Sequence, residues 1–441
     1  MDEKELKRLL EVTSRVLVFT KLNLSVSRLE KVPDRVMGME ELTDLDLGIN
    51  RISSIPGKFS RLRSLKRLDL HRNMIMRLPS SFGELHNLEY LRLNCNRLIS
   101  LPRSFGDLEN LLQLYLYLND LRHFPKSIAR LSQLKLLDVN RNSISSVPAE
   151  IGKLTGLEHL DLHQNNIGKL SPSIGKLKKL RVLRADSNNL EKLPESIAGL
   201  ENLEEMNLAD NKLSGIPESI GSLKKLKKLD LSNNLISCLP DSLEGNASLS
   251  RLSISGNKLH SLPEGIGRLK QISELYSGDN YLSGFPVQLA CSGSLERLDL
   301  YNNRISSLPE GLEGMHGLRV LHLNCNKLTD IPASLGSLPA IEGLDLSNNM
   351  LEDIPDSITG LTSLKGLYLG NNNVKKLPSA IGLLKGLIRL YINDNMISSL
   401  PDSMEELKGL KELFIRGNLL GIKQIPPGLA KRAEDGSLVI R

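Results

Sequence analysis

His159, Asp161 and His163 alternate within "EHLDLHQN", and imidazole nitrogens interleaved with a carboxylate are donors that a zinc site would use. Two residues of extended chain advance about 6.6 Å, so the two histidines stand roughly 13 Å apart on one face, too far to share an ion without distortion. The three residues therefore read as a polar binding patch in preference to a metal centre. No H-E-x-x-H, C-x-x-C, glycine-rich phosphate loop or nucleophile motif occurs in the chain. The expectation is a protein that is not an enzyme and needs no cofactor.

A second pattern lies at 111–120, "LLQLYLYLND", where Tyr115 and Tyr117 alternate with Leu114 and Leu116. With no tryptophan, eight tyrosines and seven phenylalanines in 441 residues, two tyrosines so close together call for an account of what positions them. That account is a repeat. Asparagine recurs at 50, 73, 96 and onward to 418, seventeen times at a spacing of 23 without insertion or deletion. Such a period overrides any other reading of the fold. A degenerate unit precedes the series, with Phe19, Leu22, Leu24 and Ser27 in the asparagine place.

Each position of the unit has a physical task. In L-x-L the leucines point to one side of a short strand and the residues between them to the other. The asparagine amide can donate and accept at once, and so can satisfy turn backbone groups of its own and the adjoining repeat. Sixteen of the twenty prolines sit six residues after that position, which excludes a long helix on the return path. One unit cannot enclose its own leucines, so neighbours must stack and the strands must form a parallel sheet. Ala185 and Ser277 replace core leucines, and Ser171-Pro172 shifts the proline by one, which marks two irregular places.

The unit L-x-x-L-x-L-x-x-N-x-L-x-x-L-P-x-x-I-G-x-L resembles the leucine-rich repeat family, and "IPESIGSLKKLKKLDLSNNLISCLP" (216–240) is most similar to its intracellular Ras-group subclass, the Ras-binding scaffolds and their plant relatives. The resemblance implies an α/β solenoid: a horseshoe with a continuous concave parallel β-sheet and short extended or single-turn convex segments. It also implies a role in binding proteins. The expected organisation is an N-terminal cap helix at 1–18, repeats over 19–423 comprising one degenerate and seventeen regular units, and a C-terminal cap at 424–441. The chain lacks the subclass's long basic tail, its kinase or GTPase regions and a phosphatase-docking R-V-x-F, since "RVLVF" (15–19) carries one residue too many.

With leucines facing inward, the residues six, four and two before each asparagine form the open face. Seven of the eight tyrosines fall there: Tyr90, Tyr115, Tyr117, Tyr276, Tyr301, Tyr368 and Tyr391, with Phe414 beside them. Exposed tyrosine and arginine dominate protein interfaces. Tyr115 shares its row with Arg92 and Asp138, and Asp138 is followed by Asp161 and Arg184, which makes this half the favoured docking site. Tyr368, Tyr391 and Phe414, bordered by Arg389 and Arg416, form one column that either binds or stiffens the sheet. The remaining face aspartates, among them Asp46, Asp69, Asp230, Asp299 and Asp345, read as solvated residues without a task. Arg141 and Arg184 are expected to soften the repulsion between Asp138 and Asp161.

The net charge of +6, from 57 basic and 51 acidic residues, is mild for this length and shows no concentrated basic stripe of a nucleic-acid binder. The runs "KLKKLR" (176–181) and "KKLKK" (224–228), separated by acidic "ENLEE" (201–205), read as solvated outer surface, with contact to an anionic membrane surface as the lesser alternative. No apolar run approaches membrane-spanning length, the start "MDEKELKRLLEV" is charged, and the four cysteines show no disulfide framework. The expectation is a cytoplasmic scaffold, monomeric before it binds, that takes a protein partner on the concave face, a small GTPase or its effector among the candidates. An immune-recognition or host-directed module, or a phosphatase-regulatory subunit, stands as the alternative.

Overall fold

The computed structural model describes residues 20–124, 126–421 and 424–441, so the expected N-terminal cap lies outside the described residues. The chain divides into two compact units, one reaching to Leu213 and including Ser222–Leu226, the other made of Ser214–Gly221 and Lys227–Arg441. In the first, three-residue strands run from β1 (Lys21–Asn23) to β9 (Glu205–Asn207), each parallel to the next. In the second, β10 (Lys228–Asp230) to β18 (Glu412–Phe414) do the same, and β19 (Val439–Ile440) pairs with β18. The register is one repeat: Leu91 faces Leu114, and Leu390 faces Leu413.

The leucines fill the core as their alternation requires. Leu88, Leu91, Leu93 and Leu98 of one repeat and Leu111, Leu114, Leu116 and Leu121 of the next are all fully buried. Burying each such side chain contributes about 1.5–3 kcal/mol relative to leaving it exposed. Phe59, Phe82 and Phe105 add a feature of the first unit alone, a buried stack with ring centroids 6.3 and 6.2 Å apart and near-parallel planes. Ala185 and Ser277 occupy leucine positions and are fully buried, and the Ser277 hydroxyl has no hydrogen-bond partner.

The asparagines form the expected ladder. Asn96 Nδ2 donates to the carbonyls of Leu70 at 2.9 Å and Leu93 at 3.0 Å, while its Oδ1 accepts from Ile75 N at 3.0 Å. Leu70 and Ile75 belong to the preceding repeat, so one side chain closes its own turn and fastens it to its neighbour. Asn257 and Asn326 repeat the pattern in the second unit. Prolines then lead into a single 3₁₀ turn; Pro79, at φ −67° and ψ 154°, precedes Ser80–Glu84. Successive turns pack backbone to backbone, for a Cβ on Gly83 would fall 2.1 Å from the Ser104 carbonyl oxygen.

At the C-terminal end, helix α1 (Pro427–Glu434) buries Leu429, and Arg432 donates from Nη1 to the Leu407 carbonyl at 2.8 Å and from Nη2 to that of Leu410. Carbonyls at the edge of the last full repeat thereby gain charged donors. Among the described residues no helix is long and apolar enough to cross a membrane.

Candidate functional site

The open face of the first unit is built from strand residues whose neighbours point into a filled core. In β4 (Tyr90–Arg92), β5 (Gln113–Tyr115) and β6 (Leu136–Asp138), the central leucines are buried and the flanking side chains stand on the outer face. Pairing places Arg92 opposite Tyr115 and Tyr115 opposite Asp138, the row expected from the sequence. Tyr90 and Tyr115 meet with ring centroids 5.6 Å apart, tilted by 54°. The Arg67 guanidinium lies 4.2 Å from the Tyr90 ring centre, a cation–π contact. Arg92 Nη1 donates to Asp69 Oδ2 at 3.1 Å, and His71 Nδ1 lies 2.6 Å from the other carboxylate oxygen. Arg67, Asp69, Tyr90 and Arg92 border a cleft of about 420 Å³ that also takes in Lys21, Asp44 and Asp46.

Arg67 and His71 were not singled out by sequence, and Asp69 was placed on the face without a task, although Asp69, Arg92, Tyr115, Asp138, Asp161 and Arg184 form one unbroken column at the repeat spacing. The face aspartates also have a task. Asp46, Asp69, Asp138, Asp161, Asp230, Asp299 and Asp345 each accept the backbone N–H two residues ahead, at 2.8–3.2 Å. Their short carboxylates hold the chain as it leaves the strand, as Asx turns do. The aspartates expected to be without a task thus hold the turn, and of those Asp299 is buried, not solvated.

The acidic pair is real: Asp138 of β6 faces Asp161 of β7 (His159–Asp161). Arg184, in β8 (Val182–Arg184), stands 3.8 Å from Asp161 as expected, whereas Arg141 turns away and donates to Gln164 Oε1 at 2.6 Å. Burial, aided by the Asp161 charge, pushes the Asp138 carboxyl up to about 6, although Asn140 bonds to it through backbone and side chain. His163 Nδ1 lies 2.7 Å from Asp161 Oδ1, while His159 feels burial and then Arg184, which lower its pKa. The three residues thus divide between two electrostatic partners. Among the described residues no group of three histidine, cysteine or acidic side chains is placed to hold a metal ion. Tyr117 lies past the end of β5, on the turn, and is half-buried.

The second unit's aromatics have a different setting. In β16 (Gly366–Tyr368), β17 (Arg389–Tyr391) and β18 the rings of Tyr368, Tyr391 and Phe414 follow one column, with centroids 4.9 and 4.2 Å apart. The Tyr391 hydroxyl donates to Glu412, which raises the phenol's pKa, and Arg389 lies 3.6 Å from that same carboxylate. Arg416 lies beyond the strand and is exposed. Tyr276 and Tyr301 stay apart from this column. Tyr276 lies between Arg251 and Arg297 and bonds Glu274 at 2.8 Å, and the Tyr301 phenol is pushed up to about 12 by its bond to the Asp279 carboxylate. On the outer surface, the basic run 176–181 is paired in part: Lys178 binds Glu201 at 2.8 Å and Arg181 binds Glu204 at 2.7 Å.

Stacked parallel strands, an asparagine ladder and single-turn return segments define a leucine-rich repeat protein, and the chain belongs to that family. The family model described as a leucine-rich repeat region matches residues 119–214 and 294–418, and further leucine-rich repeat models match 19–75, 201–259 and 87–108. Among solved structures, a leucine-rich repeat protein of Leptospira interrogans is similar at 30% identity over 99% of this chain and 98% of that one, with a TM-score of 0.71. The plant peptide hormone receptor RGFR1 in complex with RGF2 is 30% identical over 93% of this chain and 72% of its own, with a TM-score of 0.71. The Arabidopsis receptor kinase HAESA ectodomain, in complex with an extended IDA peptide hormone, is 32% identical over 90% and 74%, with a TM-score of 0.64. No protein with a curated description matches the chain.

Proposed function

We propose that this chain is a non-enzymatic scaffold that docks a folded protein on the open face of its first unit, in the cytoplasm, with a Ras-type small GTPase or its effector as the partner. The observation that supports this reading is the row Arg92, Tyr115 and Asp138 with Tyr90 against it, because these side chains lie on strands whose inner side is already filled. Aromatic and arginine anchors with charges of both signs around them are what a protein interface concentrates at its centre. The intracellular Ras-group likeness of the repeat supplies the partner class. The test is direct binding of a purified Ras-type GTPase, loaded with GDP or a GTP analogue, to the wild-type chain and to Tyr115→Ala. Nucleotide-dependent binding that Tyr115→Ala weakens supports the reading; equal binding by both chains removes the site, and no binding in either state removes the partner.

A second reading has its own support. The plant receptors named above hold peptides, and the cleft of about 420 Å³ beside Arg67, Asp69 and Arg92 has room for a short peptide segment with a charged residue. A peptide-library screen in which enriched sequences lose affinity to Arg67→Ala and Arg92→Ala would favour it over a folded partner.

A further inference from the structure

The residue before each ladder position turns the chain at positive φ, a conformation that glycine adopts freely, asparagine and aspartate tolerate, and other side chains resist. In the second unit the nine such residues from Asn233 to Gly417 are glycine, asparagine or aspartate in eight cases, the exception being Cys325. In the first unit the nine from Val26 to Asp210 include only one, Asp210 itself. Val26 at φ 57°, Ile49 at 54°, Arg72 at 51°, Cys95 at 57° and Leu118 at 54° hold side chains that make this turn harder. Backbone strain kept where an easier residue would serve points to a use for the side chain.

What these turns present is consistent. Four consecutive repeats each show an apolar or thiol side chain beside an arginine: Val26 with Arg28, Ile49 with Arg51, Met74 with Arg72, and Cys95 with Arg97. Val26, Ile49, Met74, Met76, Ile99 and Leu118 are between 38 and 63% exposed. Arg28, Arg51, Arg72, Arg77, Arg97 and Arg122 are exposed too, and among the described residues none has a carboxylate within 4.0 Å. The same unit pairs Lys178, Arg181 and Arg130 with acids on its outer side. Backbone bonds keep the edge in register, Ile49 N to His71 O at 2.8 Å and Arg72 N to Asn94 O at 3.0 Å in one row, Met74 N to Ile52 O at 2.9 Å and Arg97 N to Ile75 O at 3.0 Å in the other. Five repeats at about 4.8 Å make an edge of roughly 20 Å.

We propose that this edge is a peripheral docking surface for an anionic lipid bilayer. The arginines meet headgroup phosphates and carboxylates, and the apolar side chains enter the boundary between headgroups and acyl chains. Apolar side chains beside the guanidinium groups would add little on a phosphodiester backbone. A peptide's apolar residues need a groove to cover them, whereas these side chains stand out from an edge, which a lipid surface can receive. The edge uses none of the open-face side chains assigned to the protein partner, so either reading can fail without the other.

The experiment is co-sedimentation of the full chain with vesicles of phosphatidylcholine, alone or mixed with phosphatidylserine. Binding is expected only with phosphatidylserine and is expected to weaken as salt is raised. Arg51→Glu/Arg72→Glu/Arg97→Glu is expected to lose about a hundredfold in affinity or more. Ile49→Asn/Leu118→Asn is the sharper variant: it relieves two strained turns, so the melting temperature is expected to rise while vesicle affinity falls about tenfold. Lys178→Glu is expected to bind as wild type. Failure to sediment with phosphatidylserine at low salt would overturn the proposal, as would sedimentation that the edge variants leave unchanged. Retention of poly-uridylate or poly-glutamate that depends on these arginines, with no vesicle binding, would assign the edge to a different partner and overturn it as well.

Discussion

The two units carry aromatic rings at equivalent strand positions, but the rings keep different company. In the second unit Tyr391 lies between Tyr368 and Phe414, its hydroxyl bonded to Glu412, which Arg389 approaches to 3.6 Å, while the Tyr368 ring lies over Gly366, where a Cβ would fall 3.0 Å from it. Its contacts are made within the chain. In the first unit Tyr115 has Tyr90 across one column, Arg92 on one side and Asp138 on the other. Burial raises the pKa of both phenols there. A ring already stacked in its own column chiefly adds to the sheet, whereas one set among charges of both signs can still add to an interface.

The largest test of the comparison concerns the cores below the two faces. Phe82→Ala is expected to cost about 3–5 kcal/mol, because it removes the middle ring of a stack that only the first unit possesses. Ile358→Ala, the corresponding change in the second unit, removes a smaller side chain and is expected to cost less, within about 2–5 kcal/mol. Urea melts of the two variants should differ in that order, and equal losses would deny the phenylalanine stack any special weight. The ladder supplies the control for common architecture. Asn96→Leu and Asn326→Leu each strand one buried turn N–H, that of Ile75 or Ile305, while the carbonyls they bond keep a neighbouring asparagine as donor, so similar losses of about 1–3 kcal/mol are expected in both units. A loss no greater than that of the exposed control Lys225→Ala would reject the ladder as a stabilising element.

Tyrosine truncation then separates the faces directly. Tyr115→Ala is expected to weaken partner binding by about 2 kcal/mol, roughly thirtyfold, with little change in melting. Tyr391→Ala is expected to reverse the pattern, lowering stability by about 1 kcal/mol through lost ring contacts and leaving binding intact. If only Tyr391→Ala weakens binding, the two regions have been assigned the wrong way round. Lys178→Ala, which loses one exposed ion pair, should change neither by more than about 0.5 kcal/mol.

A further test is one of pH. The Asp138 carboxyl titrates near 6 in the folded chain against an ordinary value of 3.8. Between those values the folded state holds the proton that the unfolded state has released, so this group's contribution to stability is present below about pH 4 and is lost as pH rises to about 6. Binding of a lysine- or arginine-bearing partner beside it should strengthen as pH rises through about 6, where the folded chain's carboxylate ionises. Asp138→Asn should flatten both dependences, and a binding curve of unchanged slope in that variant would exclude Asp138 from the interface.

Much of this was legible in the sequence because the repeat converts position into geometry. One asparagine series fixed which leucines face inward, and with them the row of Arg92, Tyr115 and Asp138 and the column of Tyr368, Tyr391 and Phe414. What escaped were contacts set by side-chain direction. Arg67 and Tyr90 stand opposite each other in one column, but that the guanidinium lies over the ring depends on rotamers that spacing does not specify. Arg141 illustrates the same limit, near Asp138 in sequence yet bonded to Gln164 in the next repeat. The arginine edge escaped for a simpler reason: its charges are scattered at intervals of about one repeat among apolar residues, so no basic run appears along the chain.

The asparagine ladder also gives the chain a sense of time. Each amide reaches back to the preceding repeat, as Asn119 Oδ1 does in accepting from Leu98 N at 2.9 Å, so a turn is finished only by the repeat that follows it. During synthesis the newest turn would therefore leave the ribosome with an unanswered N–H and stay unfinished until the next asparagine emerged. The last ladder asparagine does the same for the repeat before it, Asn418 Oδ1 accepting from Ile397 N at 3.0 Å, and so completes a turn that was made 21 residues earlier.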